Sequence, residues 1–213
     1  MKKNIIFDLD GTILNTIDDL TDACKYALKN VVNKDITKED VLDSIGDGLI
    51  NLMKRLSESD DEKIVEQCSE YFTDYYKVHL FDKTKPFDGI IDLLKDLKER
   101  KYKCYCLSNK DDYAAKLLIE KNLGDLIIST LGRKDNQPIK PDPIVVKKLL
   151  GEYSNDELII VGDSLTDVQF IKNVGCDGII VNWGYCKEEK LNDINIDRVN
   201  NVKELFEKII SYK

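Results

Sequence analysis

Two aspartates one residue apart, Asp8 and Asp10, directly follow the apolar run Ile5-Ile6-Phe7, with Gly11 and Thr12 next in line. On an extended strand residues i and i+2 project to the same face, so the two carboxylates belong together. Like charges held close repel, and one of them is driven toward protonation unless a cation intervenes. The pair therefore suits a divalent-metal site, a nucleophile beside an acid/base, or both. Its plainer alternative is an acidic turn, since Asp-Gly also has turn chemistry.

Three later segments place polar groups in the same way, after an expected strand or in the loop that follows one. Leu107-Ser108-Asn109 closes a strand expected over 102–107, and it also reads as the N-cap of a helix over 111–122. Lys140 precedes Pro141-Asp142-Pro143, the form of a surface lysine ahead of a proline-started helix. Gly162-Asp163-Ser164-Leu165-Thr166-Asp167 follows an apolar strand over 157–162. Asp167 there also fits a first-turn acid that complements the helix dipole. Each segment is ordinary when taken alone. Together they put Asp8, Asp10, Ser108, Asn109, Lys140, Asp163 and Asp167 at carboxyl ends of strands, the edge where open parallel sheets bind ligands.

The elements that must hold these residues alternate from residue 88 onward. Helical periodicity covers 89–100, 111–122, 142–151, 165–174 and 202–211, and strands are expected at 102–107, 126–131, 157–162 and 178–182. Alternating βα units imply a parallel sheet covered on both faces. Residues 16–84 break the rhythm with helical patterns at 18–30, 39–45, 48–58 and 62–80. The expectation is an α/β, doubly wound parallel-sheet core from residues 1–15 and 85–213, with a small helical domain inserted over 16–84.

Composition narrows the chemistry. The net charge of −8 leaves no basic excess for neutralising a nucleic acid backbone. No apolar run approaches a bilayer-spanning length, and Met1-Lys2-Lys3-Asn4 leads straight into a strand, too short for a secretory leader. A cytoplasmic protein is expected. The six cysteines, Cys24, Cys68, Cys104, Cys106, Cys176 and Cys186, contain no Cys-x-x-Cys pair, so reduced thiols fit better than disulfides or zinc. The single histidine, His79, lies in a helical pattern beside Phe72, Tyr75 and Tyr76 and fits a packing or surface role. A zinc hydrolase or a Ser-His-Asp enzyme is correspondingly disfavoured.

In their order along the chain, the four segments resemble the motifs of the haloacid dehalogenase superfamily of phosphohydrolases: Asp-x-Asp-x-Thr, a Ser or Thr, a Lys, and Gly-Asp-x-x-x-Asp. The resemblance covers essentially the whole chain. Ile45-Gly46-Asp47-Gly48, Ser108-Asn109-Lys110, Leu131-Gly132-Arg133 and Trp183-Gly184-Tyr185 are similar to the phosphoglycolate phosphatase-like branch. The resemblance implies a Rossmann-like core with a helical cap, and a phosphatase acting through an aspartyl-phosphate. Asp8 would be the nucleophile, and Asp10 the acid/base. Mg²⁺ would be held by Asp8, Asp10 (through its backbone carbonyl) and Asp163, with Asp167 nearby or acting through water. Ser108 and Lys140 would hold phosphoryl oxygens. Gly11 would let the backbone approach them, with Thr12 and Asn109 beside it and Gly46 reaching from the cap.

The substrate implied is a small phosphorylated metabolite, 2-phosphoglycolate first, with pyrophosphate, sugar phosphates and nucleoside monophosphates open. A haloacid dehalogenase proper is discounted, because it has no phosphate leaving group for Asp10 to protonate. A phosphosugar mutase or phosphotransferase remains an alternative on the same residues, as does a catalytically silent ligand-binding member. Monomer and homodimer are both compatible with the sequence.

Overall fold

The computed structural model describes residues 3–191 and 194–212. Met1 and Lys2 of the leader reading, and Lys213 at the limit of the expected core, lie outside those residues. The elements run, in chain order, β1 (Asn4–Phe7), β2 (Leu14–Asn15), α1 (Ile17–Val31), α2 (Lys38–Ser44), α3 (Leu49–Ser57), α4 (Glu62–Val78), β3 (Lys85–Pro86), α5 (Ile90–Glu99), β4 (Lys103–Asp111), α6 (Asp112–Asn122), β5 (Ser129–Arg133), α7 (Ile144–Leu150), β6 (Leu158–Gly162), α8 (Leu165–Val174), β7 (Asp177–Val181), β8 (Asp197–Val199) and α9 (Val202–Ser211). Two compact units emerge, one of residues 1–14 with 86–213 and one of residues 15–85.

The first unit is α/β. Its six strands are all parallel, in the order β5-β4-β1-β6-β7-β8. β1 is central because it reads Asn-Ile-Ile-Phe, apolar on both faces, as a strand covered on both sides must be. Ile6, Ile160 and Ile180 face one layer and pack with Val146, Phe170 and Ile171 of α7 and α8. The alternate residues Ile5, Phe7, Ile159 and Val161 are equally buried on the other face. Each such side chain contributes roughly 1.5–3 kcal/mol by leaving water. The chain leaves β1 for β4 and β5 on one side and returns to β6 on the other. The order of connection thus reverses between β1 and β6, the place where doubly wound sheets open a ligand crevice.

The helical unit packs α1 to α4 around Leu20, Cys24, Leu28, Met53, Leu56, Val65, Cys68 and Phe72. Thr37 and Asp40 form a capping box that starts α2. Buried Asp19 of α1 accepts hydrogen bonds from the Lys83 N–H, the Thr84 N–H and the Thr84 hydroxyl, fixing the end of the segment that follows α4. His79 stacks on Tyr75 at 4.1 Å and its Nδ1 lies 2.7 Å from Asp82, a packing and surface role as expected.

Three expectations need correction. Ser108 and Asn109 are not the N-cap of the helix that follows. β4 runs on through them to Asp111, and the Asp111 carboxylate caps α6 by accepting from the Ala114 N–H. β5 occupies 129–133 rather than 126–131, because Gly124–Leu126 closes a 3₁₀ turn first. β8, with only three residues and two of them charged, was not expected at all.

Candidate active site at the carboxyl edge of the sheet

Parallel strands bring their carboxyl ends to one edge. Phe7 lies beside Cys106 of β4 and Val161 of β6, so Asp8, Ser108 and Asp163 come at nearly the same level along the three strands. Asp8 donates its backbone N–H to the Val161 carbonyl at 2.8 Å, which extends β1 by one residue and fixes where its side chain starts.

Asp8, Asp163 and Asp167 converge, each offering a carboxylate oxygen within 4.8 Å of the others. Lys140 enters the same cluster. Its Nζ lies 2.8 Å from Asp8 Oδ1 and 2.7 Å from Asp167 Oδ1, and its side chain is only 4% exposed. Burial pushes the Asp8 carboxyl up to about 7, with the Lys140 ammonium opposing and the Asp167 carboxylate adding to the rise. Burial likewise holds Asp163 well above the usual carboxylate range, reinforced by Asp167 and Asp8. Burial works against the Lys140 charge too, but Asp167 and Asp8 more than offset it and hold the ammonium above its ordinary range. The opposite fortunes of the two partners have a simple cause: burial dominates at Asp8, whereas at Lys140 two carboxylates outweigh it. With Asp8, Asp163 and Asp167 all ionised, the one ammonium would leave two negative charges over, in a pocket of hard oxygen donors. That composition fits a divalent oxygen-loving cation such as Mg²⁺.

Each carboxylate is aimed by neighbours from distant parts of the chain. Asp163 Oδ2 accepts the Tyr185 N–H at 2.6 Å, and Asp163 Oδ1 accepts the Thr12 hydroxyl at 3.3 Å. A Cβ on Gly11 or on Gly184 would run into the Asp163 carboxylate, and Gly11 also has φ +80. The sequence thus needs glycine at both places for the acid to fit between them. Asp167 closes a capping box with Ser164 at the start of α8. Its Oδ2 accepts from the Ser164 N–H and hydroxyl at 3.1 and 2.6 Å, while Oδ1 meets Lys140. Both Asp167 oxygens are therefore engaged.

Ser108 is buried, and its Oγ accepts the Lys110 N–H at 3.2 Å. Asn109 is buried beside it and grips the backbone of Lys140 at both ends, donating from Nδ2 to the Lys140 carbonyl at 3.0 Å and accepting its N–H at 2.9 Å. The sequence pattern placed Asn109 at the strand end but carried no sign of this clamp, which joins residues 31 apart. Asp10 does not join the three converging carboxylates. Its two oxygens lie 3.0 and 3.1 Å from Lys110 Nζ. Gly46 belongs to the helical unit, in the loop between α2 and α3, with φ +135. There Arg55 binds the Ser44 carbonyl through Nε at 3.0 Å and pairs with Asp47.

Comparisons with known proteins show what the chain as a whole is similar to. Residues 5–181 match the haloacid dehalogenase-like hydrolase family. A phosphoglycolate phosphatase of Aquifex aeolicus is 30% identical over 95% of this chain and 96% of its own. One of Thiobacillus denitrificans is 28% identical over 92% of this chain and 90% of its own. A crystal structure from Lactobacillus delbrueckii subsp. bulgaricus, assigned to the phosphoglycolate phosphatases, superposes with TM-score 0.88 at 32% identity, covering 98% of this chain and 99% of that one. The chain belongs to the haloacid dehalogenase-like hydrolase family and groups there with its phosphatases.

Proposed function

We propose that this chain is a Mg²⁺-dependent phosphomonoesterase that hydrolyses a small phosphorylated metabolite of the 2-phosphoglycolate type through a phosphate ester on Asp8. The observation that carries the reading is the position of Asp8. It ends the central strand, beside the buried Lys140 ammonium and within the cluster of three carboxylates.

In this reading Asp8 attacks phosphorus, and the bond to the ester oxygen breaks. Asp10, two residues on, gives its proton to the departing oxygen and later takes one from the attacking water. Lys140 has three N–H donors. Two meet Asp8 and Asp167, and the third serves a phosphoryl oxygen as a fixed positive charge. Ser108 and the Gly11-Thr12 backbone bind the remaining oxygens. Asn109 holds Lys140 in place through its backbone. Asp8, the Asp10 carbonyl and Asp163 would hold the metal, with Asp167 completing the set directly or through water. When bound, Mg²⁺ supplies charge neutralisation for the phosphoryl oxygens. Residues 16–84 act as the cap that chooses the substrate, with Gly46 in its selecting loop.

The test is inorganic phosphate release from 2-phosphoglycolate, pyrophosphate, glucose 1-phosphate, glucose 6-phosphate and a nucleoside monophosphate, each with Mg²⁺ and with chelator. One substrate far ahead of the others, and lost with chelator, is the expected result. Pyrophosphate in front would make the protein a pyrophosphatase. Release from none of them, with phosphoryl transfer to a sugar instead, would replace the phosphatase reading by a mutase.

A further inference from the structure

Lys110 stands outside the roles assigned so far, yet it is among the more buried cations of the α/β unit. Its side chain is 6% exposed and that of Asp10 17%, and Nζ meets both carboxylate oxygens at 3.0 and 3.1 Å. The contact joins residues 100 apart in the chain. We propose that Lys110 is the positioning residue for Asp10: it fixes the carboxyl group in the plane from which its proton reaches the departing ester oxygen. This rests on Asp10 as the acid/base of the preceding section.

Two features of the local structure favour a positioning role over a purely structural one. First, the turn that carries Asp10 is closed without Lys110. The Gly11 N–H donates to the Leu14 carbonyl at 3.0 Å, and the N–H groups of Thr12, Ile13 and Leu14 all point at the Leu9 carbonyl, at 3.3, 3.2 and 3.0 Å. The ion pair therefore orients a side chain, whereas the backbone holds itself. A buried ion pair is in any case a weak source of net stability, because desolvation offsets most of the attraction. Second, the pairing of β4 with β5 shifts register between Leu107 and Asp111. Irregularities of this kind re-aim side chains beside active sites. Here the irregular stretch contains Ser108, Asn109 and Lys110. Asn109 is turned to the Lys140 backbone and Lys110 to Asp10.

The step served is the first one. A carboxylate oxygen of Asp8 forms a bond to phosphorus, the phosphorus–ester oxygen bond breaks, and its electron pair goes to the departing oxygen. That oxygen takes the proton of the Asp10 carboxyl and leaves as a neutral alcohol, and Asp10 remains as the carboxylate that Lys110 holds. A misaligned acid penalises a basic leaving group strongly and an already acidic one little.

The experiment compares kcat/KM for phenyl phosphate and p-nitrophenyl phosphate, which have similar shape and no second anionic group but differ in leaving-group basicity. kcat/KM covers binding through formation of the phosphorylated enzyme, so the shared hydrolytic step drops out. The full chain with Mg²⁺ is assayed as wild type, Lys110→Met, Lys110→Arg and Asp10→Asn. Expected is a loss with Lys110→Met that is at least about tenfold larger for the phenyl ester than for the nitrophenyl ester. Lys110→Arg should recover most of it, and Asp10→Asn should show the same selectivity more strongly. Equal loss on both esters, or no loss, in Lys110→Met while Asp10→Asn is selective would overturn the role of Lys110 alone. An unselective Asp10→Asn would overturn the acid reading and this inference with it. A Lys110→Met chain that fails to fold would itself show the pair to be structural, and a Lys110→Arg chain that folds but keeps the full selective loss would overturn positioning by the cation.

Discussion

Both units of this protein use a cation to tie oxygen atoms together, but at different depths. In the α/β unit Lys140 is 4% exposed and bridges Asp8 and Asp167. In the helical unit Arg55 is 42% exposed and bridges Asp47 and the Ser44 carbonyl. Water screens the second arrangement, so its ion pair contributes little, about 0–1 kcal/mol. Nothing screens the first. Removing the ammonium there leaves buried carboxylates uncompensated, at a cost of about 3–5 kcal/mol. The contrast separates a region whose charges are locked in place from one whose charges can change at small energetic cost.

The sharpest way to break the comparison is Asp8→Asn. Turnover should fall by at least about 10⁴-fold, while the melting temperature should hold or rise, since a carboxylate that burial holds near 7 is removed. Turnover near the wild-type rate in a folded variant would remove Asp8 from the chemistry. Lys140→Ala comes next. Turnover should drop by about 10²–10³ and stability by the 3–5 kcal/mol expected for a broken buried pair, read from phosphate release and denaturant unfolding. Wild-type values in both would make Lys140 no different in kind from Arg55.

The dependence on pH sharpens the contrast further. For Asp8 the folded state favours the protonated form, so the contribution to stability is full below the ordinary value of 3.8 and is lost as pH rises through about 7. Asp163 shifts in the same direction. A bound divalent cation reverses the penalty where the carboxylates are charged. The rise in melting temperature on adding Mg²⁺ should therefore be greater at pH 8 than at pH 5. An equal rise at both would mean that the cation binds elsewhere. The smallest effect is expected from Arg55→Ala: a stability change under about 1 kcal/mol, together with altered preference among the phosphate esters as the Ser44–Gly48 loop loosens. An unchanged preference would take that loop out of substrate selection.

The sequence was most legible where local rules and tertiary demands coincide. The last two long helices were expected at 165–174 and 202–211, the limits at which α8 and α9 occur, because Ser164 and Asn201 cap them with their own side chains. The carboxyl ends of β1 and β6 were legible because continuous apolar runs stop abruptly at aspartates. What escaped depends on partners far along the chain. β8 is a strand only because Val181 of β7 lies beside Val199. β4 continues past Leu107 because Asn109 and Lys110 find acceptors in other loops. The Gly184 cradle around Asp163 left only a glycine between two aromatics as its trace in the sequence.

The central place of β1 has a consequence for how the protein is made. β1 is synthesised before both strands it pairs with: β4 follows almost 100 residues later and β6 more than 150 residues later. Until β6 is complete the nascent chain carries Ile5, Ile6 and Phe7 on a strand with at least one open edge, a template for pairing with other chains. Asp8 meanwhile lacks Lys140, Asp163 and Asp167. Pairings of such long range form late and slowly, so an incomplete chain emerging from the ribosome has its carboxylate cluster unassembled and is most exposed to aggregation over the same interval.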